Sequence, residues 1–266
     1  MGQPLVSIIM GAYNCEATIE KCVESILQQT YKNWQFIICD DFSSDNTFDI
    51  LKKYEDKDSR IIILHNECNK RLAASLNNCL KVAKGKYIAR MDADDESLPQ
   101  RLEHQIEFLE THPEYDVVGC NRIVFDNNGN RGIRKSEEFP VKELLIKDTP
   151  FAHPTIVMRK RVFDILNGYS SDKSTMRAED LDLWFRFYER GFKGYNMQET
   201  LYKYRESECD FSKRSLKAGI QTSKVFLKGY KRIKIPLYKR IWAIKPIIVA
   251  LMPNKVMMRY HSGRLN

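Results

Sequence analysis

Two groups of carboxylates in this sequence have the spacing of a site that holds a cation. Asp40 and Asp41 are adjacent, and Asp92, Asp94 and Asp95 fall within one four-residue run. Carboxylates held this close repel each other, and a bound cation commonly relieves that repulsion. Ligand sets made only of oxygen atoms favour Mg²⁺ or Mn²⁺, which often bridge a protein carboxylate and substrate phosphates. The carboxylates therefore predict a Mg²⁺ or Mn²⁺ cofactor and a substrate that carries a diphosphate.

The elements that must position these carboxylates are short apolar strands that alternate with longer helical segments. Continuous apolar runs predict strands buried on both faces at 6–10, 35–39, 61–64 and 87–91. Apolar residues at helical spacing predict helices at 17–29, 46–54, 72–82 and 99–109, the last with Pro99 in its first turn. This alternation is typical of an α/β fold with an open, mostly parallel sheet.

Polar side chains follow each of the four predicted strands directly. Gly11 and Tyr13 follow the first strand, Asp41 the second, Arg71 the third, and the run from Asp92 the fourth. The carboxyl ends of parallel strands share one edge of the sheet, and ligands bind beyond that edge. We therefore expect these residues to form one binding site.

The pattern changes in the second half of the chain. Strands are predicted at 117–121, 156–158 and 193–195 with a helix at 181–188, and turn-forming residues at 126–130 indicate a β-hairpin. We expect residues 116–210 to form an α+β part that completes one body with residues 1–115.

Residues 211–266 form a strongly cationic extension of that body. They contain 14 of the 43 Lys and Arg residues and none of the 35 Asp and Glu residues, and Tyr238 and Trp242 are interleaved with the cations. Aromatic residues beside clustered cations suit the headgroup layer of an anionic membrane. A helical extension packed on the body and an RNA-binding segment are the alternatives, although no RNA recognition motif accompanies the charge. We expect a basic amphipathic helical tail that docks on an anionic membrane, and no nucleic acid partner.

Five segments resemble, in order and spacing, the motifs of family 2 glycosyltransferases of the GT-A fold. They are VSIIMGAYN, IICDDFSSDNT, NKRLAASLN, ARMDADDESLPQRL and AEDLDLWFR, which lie between residues 6 and 186, and the resemblance as a whole covers about residues 4–205. The resemblance implies a catalytic domain at 1–210 with a Rossmann-like nucleotide-binding half at 1–115 and an acceptor half at 116–210. It also implies a metal-dependent, inverting enzyme that uses a nucleotide-sugar. The chain length and the lack of a Q-x-x-R-W motif resemble bacterial, non-processive enzymes that build surface polysaccharides of the O-antigen or capsule type.

The resemblance assigns nucleotide-binding roles at the ends of the first strands. Tyr13 is similar to the aromatic residue that packs on the uracil ring, and Asp41 is similar to the carboxylate that accepts the uracil N3–H. Because N3 of cytosine carries no proton, such a carboxylate favours uridine over cytidine. Arg71 is similar in placement to an arginine that reaches the base or the phosphates. Together with Gly11 and Asp92, these residues form the expected nucleotide-sugar-binding set.

The resemblance leaves the metal ligands open within Asp-Ala-Asp-Asp. Asp94 is similar to the principal metal ligand, and Asp92 is expected to contact the ribose or the metal. Other members of the family align the metal-binding carboxylate with Asp95. All three carboxylates are therefore candidate ligands.

The motif Ala-Glu-Asp at 178–180 resembles the acidic motif that supplies the catalytic base. An inverting transfer needs a carboxylate within hydrogen-bond reach of the acceptor hydroxyl, and we expect Asp180 to remove its proton. Glu179, Asp182 and His153 are expected on the acceptor side or as supporting residues. Relatives often place a histidine near the metal after the last core strand, where this sequence has none. Three alternatives remain: Glu206 replaces it, water replaces it, or this ligand is not used.

These expectations describe an inverting hexosyltransferase with a UDP-sugar donor and a lipid-diphosphate-linked saccharide acceptor. The donor hexose is glucose, galactose or N-acetylglucosamine. The alternative is a catalytically silent, nucleotide-binding protein that associates with membranes. Seven scattered cysteines favour free thiols in a reducing compartment, so the expected location is the cytoplasm, on the inner face of the plasma membrane.

Overall fold

The computed structural model describes residues 2–172, 175–206, 215–253, 256 and 263. These residues form a mixed sheet whose strands lie in the order β3-β2-β1-β4-β8-β6-β9-β5, with β7 paired to β6. The strands are β1 (Val6–Ala12), β2 (Trp34–Asp40), β3 (Ile61–His65), β4 (Tyr87–Arg90), β5 (Glu96–Ser97), β6 (Val117–Asp126), β7 (Gly129–Arg134), β8 (Val157–Arg159) and β9 (Gly194–Arg205).

The first four strands form the parallel part of the sheet, as the apolar runs predict. β1 pairs with β2 and β4, and β2 pairs with β3, all in parallel. Ala12 lies opposite Asp40, and Asp40 lies opposite His65. The strands β1, β2 and β3 therefore end at the same level, and the loops that follow them share one edge.

Helices cover both faces of the sheet. They are α1 (Ile19–Leu27), α2 (Thr47–Glu55), α3 (Leu72–Val82), α4 (Arg101–Thr111), α5 (Lys160–Leu166), α6 (Glu179–Glu189), α7 (Leu216–Arg232) and α8 (Lys245–Leu251), with 3₁₀ turns at Lys142–Ile146, His153–Thr155 and Leu237–Ile244. Buried residues of α1, α2 and α4 form one apolar cluster, and those of α3, α5, α6 and α7 form the other. The prediction that Pro99 occupies the first turn of α4 is wrong, because α4 begins at Arg101 and the Pro99 carbonyl accepts a hydrogen bond from the N–H of Thr30 (2.9 Å).

The second half of the sheet depends on long-range pairings. β8 lies between β4 and β6 and is antiparallel to both, whereas β6 and β9 are parallel. The hairpin expected at 126–130 joins β6 to β7. β9 is much longer than the predicted strand at 193–195, because exposed polar residues such as Gln198 and Glu199 interrupt its apolar pattern. Its far end pairs with β5 and thereby holds the segment that follows Asp95.

The first helix of the cationic extension is part of the hydrophobic core. The rings of Phe226 and Tyr230 on α7 lie 6.0 and 5.8 Å from the ring of Phe185, centroid to centroid. A Cβ atom at Gly229 would lie 2.1 Å from Cδ2 of Phe185, so only glycine allows α7 to pack this closely on α6. The predicted boundary between 210 and 211 falls within 207–214, which lie outside the described residues.

The segment after α7 exposes a series of large apolar side chains. Leu237, Tyr238 and Ile241 are 78%, 76% and 72% exposed. They share this surface with basic residues that include Lys239 and Arg240. None of the helices in the described ranges combines the length and the apolar character that crossing a bilayer requires.

Most of the cysteines that the structure describes are buried thiols. Cys22, Cys39, Cys79 and Cys120 are buried, whereas Cys68 is exposed. Cys209 lies outside the described residues.

Candidate functional site

Strained backbone marks the edge of the sheet that carries the predicted site. Asn14 (φ 47°), Phe42 (65°) and Arg71 (72°) follow β1, β2 and β3, and Arg177 (65°) precedes α6. All four are non-glycine residues in the left-handed region. Such strain persists only where the surrounding structure enforces it, and it is concentrated at functional sites.

Asp41 is buried at this edge and holds the loop between β3 and α3. Its side chain is 4% exposed. Oδ1 accepts hydrogen bonds from Nδ2 of Asn66 (2.7 Å) and the backbone N–H of Lys70 (2.8 Å), and Oδ2 accepts one from the N–H of Arg71 (2.7 Å). A carboxylate offers about four acceptor sites, so Asp41 keeps capacity for one further donor.

Asp40 is buried beside Asp41 but has different partners. Its Oδ1 accepts a hydrogen bond from Oγ of Ser43 (2.6 Å), and its Oδ2 lies 3.0 Å from Nδ1 of His65. The ring of His65 packs against Phe48 at a centroid distance of 4.6 Å. Two carboxylates with separate hydrogen-bond networks therefore occupy the end of β2.

The remaining predicted nucleotide-binding residues lie at the same edge. Tyr13 is 51% exposed. A Cβ atom at Gly11 would lie 2.9 Å from Cδ1 of Leu72, which means that glycine lets α3 approach the end of β1. The side chain of Arg71 is exposed and lines a recess together with Glu179.

Asp92 is held by a buried cation. It forms an ion pair with Arg90, whose side chain is only 4% exposed. Burial works against the charge of Arg90, but the Asp92 carboxylate outweighs it and raises the pKa of the guanidinium above its ordinary value. The backbone carbonyl of Arg90 in turn accepts a hydrogen bond from Nη2 of Arg101 (2.8 Å).

Asp94 and Asp95 differ sharply in burial. Asp94 is exposed, whereas Asp95 is 1% exposed. Oδ1 of Asp95 accepts a hydrogen bond from the N–H of Arg205 (2.7 Å), but its buried Oδ2 accepts none from the described residues. Burial, together with the charges of Asp92 and Asp94, raises the pKa of Asp95 well above its ordinary value.

A divalent cation fits this environment. The donor set consists of oxygen atoms, and a cation would satisfy the buried Oδ2 of Asp95 and offset the repulsion among the three carboxylates. Within the described part of the chain, no three His, Cys, Asp or Glu side chains form a ready-made metal site. An ion held by one or two carboxylates together with substrate phosphates does not need such a group.

A cleft of about 360 Å³ joins Asp92 to the predicted catalytic base. Its polar lining consists of Arg90, Asp92, Arg122, Arg134, Thr149, His153, Arg177, Glu179, Asp180, Tyr204 and Glu206. Asp92 lies at the end of the parallel half of the sheet, and Asp180 lies in the first turn of α6. The fold thus brings together two carboxylates that are far apart in sequence.

The acidic pair at the start of α6 lies in a poorly solvated position. Burial raises the pKa of Asp180, and the positive charge of Arg90 partly opposes that effect. Burial likewise raises the pKa of Glu179. A carboxylate with a raised pKa binds a proton more strongly, which suits a general base.

His153 is buried at the floor of the cleft as a neutral side chain. Its Nε2 lies 2.8 Å from the hydroxyl of Tyr169, and Nδ1 has no hydrogen-bond partner within the described residues. Burial and the nearby charge of Arg90 lower its pKa well below the ordinary value. His153 therefore stays uncharged at neutral pH.

Asp182 and Glu206 are engaged by arginines. Asp182 lies outside the cleft and pairs with Arg186, with its Oδ2 2.7 Å from Nε. Both carboxylate oxygens of Glu206 accept hydrogen bonds from Arg134 at 3.2 Å. Glu206 thus lines the cleft at the end of β9 as the partner of an arginine.

Sequence reasoning missed the three arginines that β-strands contribute to this cleft. Arg122 and Arg134 are opposite one another on β6 and β7, and Arg90 lies on β4. The sequence separation of these arginines does not match any motif, because the strands that bring them together are distant in the chain and pair only after folding. The one available signal was Arg90, which lies in the motif ARMDADD.

The match to a family model decides the classification. A model described as glycosyl transferase family 2 matches residues 7–177, which is more than half of the chain. The protein belongs to glycosyltransferase family 2. This confirms the family that the motifs resemble.

Curated relatives of this family 2 glycosyltransferase match it over nearly its whole length. It is 50% identical to the putative glycosyltransferase EpsE of Bacillus subtilis over 263 residues, which cover 98% of this chain and 95% of EpsE. It is 35% identical over 237 residues to WfaP of Escherichia coli, a UDP-Glc:alpha-D-GlcNAc-diphosphoundecaprenol beta-1,3-glucosyltransferase, with 89% of this chain and 90% of WfaP covered.

Solved structures confirm the GT-A fold for this family 2 glycosyltransferase. S. aureus TarS 1-349 in complex with UDP-GlcNAc superposes with a TM-score of 0.64 at 18% identity, covering 93% of this chain and 81% of that one. The mannosyltransferase PcManGT from Pyrobaculum calidifontis, in complex with GDP-Man and Mn²⁺, gives 0.65 at 17% identity, covering 98% of this chain and 80% of that one. The predicted α/β sheet with an α+β second half and a helical C-terminal extension is therefore correct.

Proposed function

We propose that this glycosyltransferase is an inverting, metal-dependent enzyme that moves a hexose from a UDP-sugar to a lipid-diphosphate-linked saccharide in bacterial polysaccharide biosynthesis. The observation that carries the proposal is the single cleft that contains both Asp92 and Asp180. Transfer requires the leaving diphosphate and the attacking hydroxyl to be held on opposite sides of one anomeric carbon. A cleft between the two acidic motifs provides both positions.

The nucleotide is proposed to bind at the ends of β1, β2 and β3. Uracil packs on the ring of Tyr13, which is half exposed, and Asp41 has acceptor capacity left for the uracil N3–H. Arg71 extends from the loop that Asp41 holds and reaches the phosphates. Gly11 contributes by letting α3, and with it this loop, approach the edge of the sheet.

The cofactor is proposed to be Mn²⁺ or Mg²⁺, held by the carboxylates of Asp94 and Asp95 with Asp92 beside them. Asp94 is exposed, and Oδ2 of Asp95 accepts no hydrogen bond from the described residues. When bound, the ion neutralises negative charge that develops on the departing diphosphate. PcManGT, which shares the fold, was solved in complex with both Mn²⁺ and a nucleotide-sugar, and this agrees with the assignment.

Asp180 is proposed to act as the catalytic base. Its carboxylate takes the proton of the acceptor hydroxyl while that oxygen attacks the anomeric carbon. The bond between this carbon and the diphosphate oxygen breaks, and UDP leaves with the electron pair. Attack from the face opposite UDP inverts the anomeric configuration. The raised pKa of Asp180, caused by burial, favours the proton transfer.

The donor and acceptor classes are supported by the names of the relatives. WfaP and the 35% identical WfgD, both from E. coli, are named as glucosyltransferases that use UDP-glucose and GlcNAc-diphosphoundecaprenol. Among glucose, galactose and N-acetylglucosamine, we therefore place UDP-glucose first.

The protein is proposed to work in the cytoplasm on the inner face of the plasma membrane. The exposed apolar side chains of Leu237, Tyr238 and Ile241, surrounded by basic residues, suit the headgroup layer of an anionic bilayer. Nζ of Lys147 lies 4.1 Å from the ring centroid of Trp242, which ties this segment to the body. Docking there would bring the active site to a lipid-linked acceptor.

The proposal is tested by measuring UDP release from each common UDP-sugar in the presence of Mn²⁺, with and without a GlcNAc-diphosphate-lipid analogue. We expect release from UDP-glucose that the acceptor analogue stimulates, and a β-configured glycosidic bond in the product. UDP binding without release from any donor would instead establish the alternative, a catalytically silent nucleotide-binding protein.

A further inference from the structure

A large polar groove runs along α3 on the side of the molecule that carries α6 and α7. Its volume is about 940 Å³. The side chains that matter for its chemistry are Asn77, Lys81, Ser170, Arg186, Lys228 and Arg232. Neither the nucleotide site nor the catalytic cleft accounts for this groove.

A smaller recess of about 320 Å³ lies between the groove and the catalytic cleft and shares wall residues with both. This recess shares Lys70, Ser170 and Ser171 with the groove. It shares Arg177 and Glu179 with the catalytic cleft. A series of adjoining recesses, called the path below, therefore leads from the cleft that contains the candidate base to the surface of α7.

The path carries an excess of positive charge. Arg186 is paired with Asp182, and Nη1 of Arg232 lies 2.6 Å from Glu189, so these two cations are compensated. Across the described residues, Lys70, Lys81 and Lys228 form no ion pair with a carboxylate. In addition, Nη2 of Arg186 is buried and makes no hydrogen bond to the described residues. A ligand with localised negative charge suits such a path.

Hydrogen bonds from α3 hold the segment that forms one wall of the recess in place. Nδ2 of Asn77 donates to the carbonyl of Tyr169 (2.8 Å), and Oδ1 of Asn77 accepts from the N–H of Tyr169 (2.8 Å). A Cβ atom at Gly168 would lie 2.5 Å from Oδ1 of Asn77. The segment that carries Ser170 and Ser171 is therefore fixed against α3, and both hydroxyls are held at the junction.

We propose that this path binds the diphosphate group of the lipid-linked acceptor, with Lys70, Ser170 and Ser171 at the junction as its binding residues. The inference rests on the proposed function, which places the acceptor sugar at Asp180. The diphosphate is attached to that sugar, so it lies in the next recess along the path. The groove then leads to Lys228 on α7, the helix that also packs against α8 through Gly219. The lipid therefore leaves the groove on the side that carries the exposed apolar segment.

The test compares two ligands that differ only in the diphosphate. GlcNAc-diphosphate-geranyl and the neutral GlcNAc-geranyl glycoside are titrated into the full chain by calorimetry, with saturating UDP to occupy the donor site. We expect Lys70→Glu to raise the Kd of the diphosphate compound by about tenfold or more and Ser171→Ala to raise it by about threefold or more, and both to leave that of the glycoside unchanged. Lys21→Glu, on the exposed face of α1, is the matched control and changes neither Kd.

Inorganic diphosphate is titrated as a third ligand to identify the source of the charge. If the path binds the acceptor, the Kd of GlcNAc-diphosphate-geranyl is lower than that of inorganic diphosphate. A lower Kd for inorganic diphosphate would indicate a site for a free anion and would contradict the proposal. Equal losses for the glycoside and the diphosphate compound, or no loss in either groove variant, would overturn the proposal.

Release of UDP from UDP-glucose in water is measured in parallel. This hydrolysis depends on the donor site and needs no acceptor. Its complete absence in the unmodified chain contradicts the proposed function and leaves the binding test intact.

Discussion

Oδ1 of Asp95 accepts a hydrogen bond of 2.7 Å from the backbone N–H of Arg205, so the last strand of the sheet fixes this carboxylate beside Asp92 and Asp94. The bond leaves Oδ2 buried and without a partner among the described residues. Without a metal, a charge at this position destabilises the folded state, because burial and two neighbouring carboxylates oppose it.

The first prediction follows from that arrangement. Asp95→Asn keeps an acceptor for the Arg205 N–H and removes the charge, so the metal-free variant should melt a few degrees higher, corresponding to about 1 kcal/mol. Addition of Mn²⁺ should raise the melting temperature of the unmodified protein and not that of the variant. Differential scanning calorimetry with and without Mn²⁺ measures both effects. Asp56→Asn, at an exposed position at the C-terminal end of α2, is the control, and an equal Mn²⁺ response in Asp95→Asn would contradict the assigned ligand.

The second prediction concerns Asp180. Asp180→Asn is close to isosteric and removes only the ability to accept a proton, so turnover should fall by about 10²–10⁴. The affinity for UDP should remain within about twofold, because the base acts on the acceptor. Steady-state kinetics and calorimetry with UDP separate the two quantities. Loss of UDP binding in this variant would show that Asp180 belongs to the donor site.

The third prediction is a pH dependence. Burial raises the pKa of Asp180 in the folded protein, and the base works only when it is deprotonated. Activity should therefore be lost as the pH falls through that raised pKa, with a midpoint above about 3.9, the value for an unperturbed aspartate. The positive charge of Arg90 lowers the same pKa, so Arg90→Gln should move the acidic limb to higher pH. A pH profile of kcat in which both proteins have the same midpoint would argue against Asp180 as the base.

The fourth prediction separates the two carboxylates at the end of β2. Asp41→Asn weakens the acceptor of the N–H groups of Lys70 and Arg71, so the free energy of unfolding should fall by about 1–3 kcal/mol. The same change should reduce the preference for UDP over CDP. The asparagine amide can accept from N3–H of uracil and can also donate to the N3 lone pair of cytosine, whereas the carboxylate can only accept. Denaturant unfolding and competition between UDP and CDP provide the measurements. Asp40→Asn is the companion variant, and loss of uridine preference there alone would assign the base contact to Asp40.

The fifth prediction concerns membrane docking. Removal of residues beyond 225 would also remove Phe226, Tyr230 and Ile233, which are buried in the core, and should unfold the protein. Ile241→Ser leaves the core intact and should weaken binding to anionic vesicles by about tenfold, because one large apolar side chain no longer enters the bilayer. Co-sedimentation with vesicles containing phosphatidylglycerol is the measurement. Ile165→Ser, at a 49% exposed position on α5, is the matched control, and equal losses in both variants would exclude a specific surface.

The sequence by itself determined the half of the fold that contains the parallel strands. The strands of residues 1–115 are continuous apolar runs because they are buried on both faces, and each is followed at once by its helix, so local pattern is sufficient to place them. The position of Asp41, Arg71 and Asp92 at the edge of the sheet follows from the same regularity. The motif resemblance then identified the family.

The tertiary structure decided the second half and the cleft. β9 has an exposed face, and the polar residues on that face interrupt the apolar pattern that would have predicted a twelve-residue strand. β8 is only three residues long, so its position can be assigned only from its pairing with β4 and β6. The pairing of β6 with β7 and β9 puts Arg122, Arg134 and Glu206 into the cleft, and the packing of Phe185 on Gly229 makes α7 part of the core. These contacts join residues that are distant in the chain, and only the burial of apolar surface over the whole molecule selects them.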